Sequence, residues 1–284
     1  MQQILFITII ALTALAVLHL LFCLKKDLYD IKHRIQLAVI AMIAFVADVA
    51  GIGSFAVTIA FCKARNLVAI EELPGLVNGA QVIPGAIEAF AFLLMIHVDP
   101  ITLSTLITGT CIGGILGGMI VSRFNSGHTL LAMGLAYVLM AILIFCHQLH
   151  LLPIGGDATL LRGNKLVAGF LGTMVCGFLP ALGAGLFAPI EVLLFLLGLS
   201  PAIAFPIMTA AGALQQPLTT ITFNIHRKIP IKKALWMGLW GVVGATMAIP
   251  VVIHLSSEKL HWVLLCVLCF NGFLMLKSYF NQSI

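Results

Sequence analysis

Two membrane-length apolar stretches of this chain are each interrupted by a pair of glycines, and the interruptions stand at matching places. Gly51 and Gly53 break the first stretch, Gly183 and Gly185 the second. Each partner lies 132 positions from its counterpart (51 to 183, 53 to 185). Pro74 and Pro206 repeat at the same interval. A helix unwound at bilayer depth exposes backbone groups that lipid cannot satisfy. Such breaks persist only where protein or a water-filled cavity surrounds them. A pair of them in corresponding halves of a chain points to a transporter's substrate site.

The chain has 284 residues, of which 61% are hydrophobic and 9% charged, with a mean hydropathy of +1.15. A soluble domain has no use for so much apolar surface, so the solvent is lipid. A transmembrane barrel would show short alternating segments instead. The expected fold is an all-α membrane protein, a polytopic helical bundle of about nine spans. One leading helix (Ile4 to Leu24) precedes two four-span repeats, each with a broken first helix. Residues 1–34 form the leading transmembrane helix and basic connector, 35–150 the first repeat, and 151–284 a polar loop and the second repeat. The repeat extends beyond the glycines: Asp99–Thr102 resembles Ile229–Lys232, and Gly113–Gly118 resembles Gly241–Thr246. No basic residue precedes the leading helix, and Lys25 and Lys26 follow it. It reads as a retained helix rather than a cleaved signal.

The net charge of +5 reflects basic residues gathered at helix ends, which orient a membrane protein and imply no nucleic-acid partner. If each broken stretch crosses once, eleven basic residues fall inside and four outside; if each is a re-entrant hairpin, twelve and three. Both schemes put the amino end outside and the carboxyl end inside, in what is expected to be a bacterial cytoplasmic (inner) membrane. The broken crossing is slightly preferred.

The first break reads Asp48 to Phe55, the second Leu179 to Pro189. Each begins a new helical piece whose free N–H groups and dipole favour an anion, and Ser54 adds a hydroxyl. The competing reading is close helix packing by small residues. Behind the first break lie Asn78 and Gln81, three apart on one helical face. Behind the second lie Thr209, Gln215 and Gln216. Amides can donate to an oxyanion while staying neutral, or simply bond helix to helix. The intramembrane acids are Asp48, Glu88 and Glu191. They are candidates for proton coupling, or neutral hydrogen-bonded structural acids.

The seven cysteines sit in or beside apolar segments and read as packing residues; Cys266 and Cys269 share a helical face. His147 and His150 read as interfacial. No metal site is expected. The HExxH, GxSxG, P-loop and dinucleotide patterns are absent from the sequence. An enzyme is not expected, nor any cofactor, and an ion gradient is the expected energy source.

Over about residues 36–280 this pattern resembles the TauE/SafE family of sulfite exporters, also called the toluene sulfonate uptake permease family. The likeness rests on the duplicated four-span plan, the glycine break after the first half-helix of each repeat, and the amide-bearing segment that follows. Members often carry an Asn-Lys-Leu-Gln-like stretch there. Asn78 and Gln81 match it loosely, and Gly79 takes the lysine place, so an anion would rely on helix dipoles and amides. The resemblance implies a secondary transporter of small anions such as sulfur oxyanions, sulfonates or other organic acids. The alternatives are an anion channel and a membrane scaffold or assembly factor. The candidate substrate-binding residues are Gly51, Gly53, Ser54, Asn78, Gln81, Gly183, Gly185, Thr209, Gln215 and Gln216. The partners are the anion and the lipid bilayer, with a homo-oligomer left open.

Overall fold

Left-handed backbone at glycine ends one helix and starts another at each break. Gly53 has φ 87° and Gly183 has φ 76°, conformations that a Cβ disfavours. At the second break Pro180 opens a short 3-10 turn, Leu179–Leu182, and Gly183 closes it, with the Ala184 N–H reaching back to the Leu179 carbonyl. The computed structural model describes residues 2–24, 33–50, 53–93, 98–153, 155–252 and 257–282. Gly51 lies outside the described residues. The helices are α1 (Gln2–Cys23), α2 (Arg34–Val49), α3 (Ser54–Ala64), α4 (Leu73–Leu93), α5 (Pro100–Val121), α6 (Ser126–Gln148), α7 (Gly163–Phe178), α8 (Phe187–Leu196), α9 (Pro201–Ile225), α10 (Ile231–Val252) and α11 (Ser257–Gln282).

Among the described residues, five helical segments are long and apolar enough to cross a membrane: Gln3–Cys23, Pro100–Val121, Ser126–Gln148, Gly163–Leu182 and Trp262–Asn281. Large apolar side chains cover the outside, among them Ile7 and Leu18 of α1, Leu139 of α6 and Phe273 of α11. Polar side chains are turned inward, including Asp48, Asn78, Gln81, Glu88, Gln215, Gln216 and Asn271. This inside-out polarity suits a lipid solvent. The chain is an all-α helical bundle and an integral membrane protein.

The two broken stretches fold back on themselves. Stacked end to end, α2 and α3 would extend ~40 Å at about 1.5 Å per residue. Yet both outer ends meet the first turns of α10: the Trp236 indole donates to the Arg34 carbonyl, and the Lys233 ammonium to the Leu67 carbonyl. The second unit does the same. The Lys165 ammonium, near the start of α7, donates to the Leu197 carbonyl just past α8, and Gly172 packs against Leu193. Both are hairpins, which corrects the preference for a single broken crossing. Charge counting could not separate the two schemes, because only five of the fifteen basic residues change sides between them.

Helix partners are exchanged between the two sets. α5 of the first set packs along α7 of the second, and α10 of the second along α2 of the first. Glycines permit both contacts. A Cβ at Gly113 would sit 1.9 Å from the Met174 carbonyl oxygen, and one at Gly244 would sit 2.5 Å from the Met42 carbonyl oxygen. The matched glycine motifs at 113–118 and 241–246 therefore serve close backbone approach. α4 packs against α9, and α6 against α11. α2, α4 and α10 run in one direction and α5, α7 and α9 in the other, as the glycine contacts show for all but α2, whose sense follows from Trp236 bonding to Arg34 and Gly244 packing on Met42. The second set thus traverses the molecule in the sense opposite to the first, with its hairpin starting from the opposite end.

Candidate functional site

A cavity lies between the tips of the two hairpins. Asp48, Gly53, Phe55 and Ala56 line it from the first, and Gly185, Leu186, Phe187 and Ala188 from the second. Gln81 of α4 and Gln216 of α9 complete its polar lining, and Met140, Leu264 and Leu268 its apolar wall. The space open to the centres of water-sized molecules is about 40 Å³, whereas one water requires roughly 10–15 Å³. A small ion with part of its hydration fits.

At the first break the polar groups form a closed ring. The Ser54 N–H donates to Asp48 Oδ1 at 2.7 Å, Gln81 Nε2 to Asp48 Oδ2 at 2.5 Å, and the Ser54 hydroxyl to Gln81 Oε1 at 2.5 Å. Asp48 thereby caps the start of α3 from six residues upstream, where its negative charge complements the helix dipole. Ser54 is not the free donor expected of it, because its hydroxyl is engaged by Gln81. No lysine or arginine among the described residues pairs with Asp48. Glu88, about two helix turns beyond Gln81, is buried, and it lies within electrostatic reach of Asp48.

The second break is held from outside. The Tyr137 hydroxyl of α6 donates to the Gly183 carbonyl at 2.7 Å, and the Asn78 amide of α4 to the Pro180 carbonyl at 2.7 Å. Asn78 is therefore a tether between α4 and the second break rather than a lining residue. Asn271 of α11 plays the matching part for the first break, donating to the Ala56 carbonyl at 2.8 Å. α4 and α9 approach at Gly85, where a Cβ would lie 3.0 Å from Gln216 Oε1 and 3.4 Å from Gln81 Nε2. The absent side chain leaves the two glutamines as neighbours.

The remaining expected residues fall elsewhere. Gln215 turns from the cavity toward α5 and α7, donating to Thr219 Oγ1 at 2.5 Å and packing on Gly114. Thr209 bonds back to its own helix through the Pro206 carbonyl. Glu191 is half-buried on α8, away from the lining. Among the described residues no group of three or more His, Cys, Asp or Glu could hold a metal ion. Sequence reasoning missed Phe55, Phe187, Tyr137 and Asn271. Phe55 and Phe187 carried a usable signal, since they stand at the same interval of 132 as the glycines (55 to 187).

Comparison with protein-family models, curated proteins and solved structures gives no match.

Proposed function

We propose that the chain is a secondary transporter of small anions. The observation that carries this reading is the shared cavity, into which two helix starts and two buried glutamines converge from opposite repeats. Helix starts and neutral amides suit an anion that must be both held and released. Sulfur oxyanions, sulfonates and other small organic acids fit the cavity's mixture of donors and apolar wall. The likeness to the sulfite exporter family supports the same substrate class. Of the three acids expected to couple protons, buried Asp48 is the one that lines the cavity, and its carboxyl group serves that role.

Seven helices (α1, α4, α5, α6, α9, α10 and α11) would cross the bilayer, and the two hairpins would dip in from opposite faces, replacing the nine crossings expected from the sequence. Arg34, Lys63, Arg65, Arg123, Arg227, Lys228, Lys232 and Lys233 gather at the end where α2 and α4 begin, against Arg162 and Lys165 at the other. By the positive-inside rule this distribution supports an amino end outside and a carboxyl end inside, in the proposed bacterial cytoplasmic membrane. Flux into proteoliposomes tests the reading. Saturable uptake of a labelled sulfonate, stimulated by a proton gradient, is the expected result. Large ohmic single-channel currents would instead identify a channel, and no flux of either kind would favour a scaffold.

A further inference from the structure

The two breaks are alike in sequence but unequal in what meets the helix that follows. At the first, the Asp48 carboxylate already occupies the Ser54 N–H at the start of α3. The position matching Asp48 in the second repeat is Pro180 (48 to 180), which has no acid to offer. No side chain caps α8, and none of the N–H groups from Gly185 to Ala188 has a hydrogen-bond partner. All four of these residues line the cavity. Independently, the Gln216 side chain lines the same cavity, is only 3% exposed, and makes no hydrogen bond. A buried amide without partners is costly unless something in the cavity bonds to it. The Gln216 amide, which carries an NH₂ donor, and the open start of α8 line one space.

We infer that the cavity is polarised: the start of α8 and the Gln216 amide take an anionic head group, and Asp48 takes up a proton from bulk water as the anion arrives. This rests on the transport reading above. An anion at α8 and an ionised Asp48 would share one small cavity with no cation between them, and like charges repel strongly in such surroundings. A proton on Asp48 removes that repulsion, so anion and proton bind together. Glu88 of α4 is the charged group that faces Asp48. The hydrogen-bond partners of Asp48 are the uncharged Ser54 of α3 and Gln81 of α4, no lysine or arginine among the described residues pairs with it, and the cavity-lining residues from α6, α8, α9 and α11 are all uncharged. Glu88 does not line the cavity, which leaves Asp48 as the acid beside the anion.

Isothermal titration of the purified full-length protein with methanesulfonate and toluenesulfonate tests this. Both probes stay ionised between pH 5 and 9, so any linked proton belongs to the protein. In the wild type, affinity is expected to fall about tenfold per pH unit once Asp48 is ionised. One proton should be taken up per anion, read from the dependence of the heat on buffer. Asp48→Asn should keep binding and lose the pH slope. Gln216→Leu should weaken binding at least tenfold at every pH and keep the slope. Glu88→Gln should keep the slope, and this variant and the wild-type proton count decide the matter even where Asp48→Asn does not fold. A slope that survives in Asp48→Asn, a slope that vanishes in Glu88→Gln, or unchanged affinity in Gln216→Leu overturns the proposal. Binding that is independent of pH in the wild type defeats the polarised cavity while leaving anion transport standing. No binding of either probe at any pH counts against both.

Discussion

The Tyr137 hydroxyl on α6 donates to the Gly183 carbonyl at the second break, 46 residues away in sequence, at 2.7 Å. Both groups are buried, and Gly183 sits in left-handed backbone where no helical N–H can reach its carbonyl. Tyr137→Phe leaves that carbonyl without a partner. The expected loss is about 1–3 kcal/mol of stability, measured by denaturant unfolding in detergent. Hydrogen exchange should rise at residues 183–188 and not in α9.

The hairpins make a prediction about sidedness. In a cysteine-free background, Asn66→Cys and His226→Cys should react with a membrane-impermeant thiol reagent from the same face. Asn164→Cys should react from the opposite face. Reaction of Asn66→Cys and His226→Cys from opposite faces would mean that α2 and α3 cross the bilayer as one broken helix.

Close packing of α5 on α7 depends on the absence of a side chain at Gly177. A Cβ there would lie 2.2 Å from the Thr110 carbonyl oxygen, which is backbone and cannot swing aside. Gly177→Ala is expected to destabilise the protein by about 1–3 kcal/mol. Gly127→Ala, whose Cβ meets nothing nearer than 3.6 Å, serves as the control and should unfold like the wild type.

The ends of the bundle are tied by ion pairs with a definite pH signature. Arg162 holds Asp99 with paired bonds of 2.8 Å, and its guanidinium keeps the Asp99 carboxyl well below the usual carboxylate range. At the other end, hydrogen bonds from Lys228 and Ser126 lower Glu71. A carboxyl lowered in the folded state contributes its full stabilisation above its unfolded value, roughly pH 4. It loses that contribution as pH falls through the folded value. The advantage of wild type over Asp99→Asn should therefore be present at pH 7 and disappear in acid. Because the pair is exposed, the advantage should be small and should shrink further in high salt. Thermal unfolding from pH 2.5 to 7 at two salt concentrations reads both effects.

Much of this architecture is written in composition and spacing. Lipid as solvent follows from the hydropathy alone, and the paired breaks follow from glycines at a fixed interval, because both depend on local chemistry. Partnerships do not. Gln215 and Gln216 are adjacent and chemically identical, yet one bonds within the bundle and the other faces the cavity. The 100° turn between neighbouring helical positions is assigned a direction only by what packs on α9. The ring of Asp48, Ser54 and Gln81 joins two helices and a break, so it exists only once α4 lies against the first hairpin. Crossing and returning cost nearly the same in charge bias and apolar length. That choice was made by tertiary contact, in the pairs Trp236 with Arg34 and Lys233 with Leu67 that draw both ends of one hairpin to the start of α10.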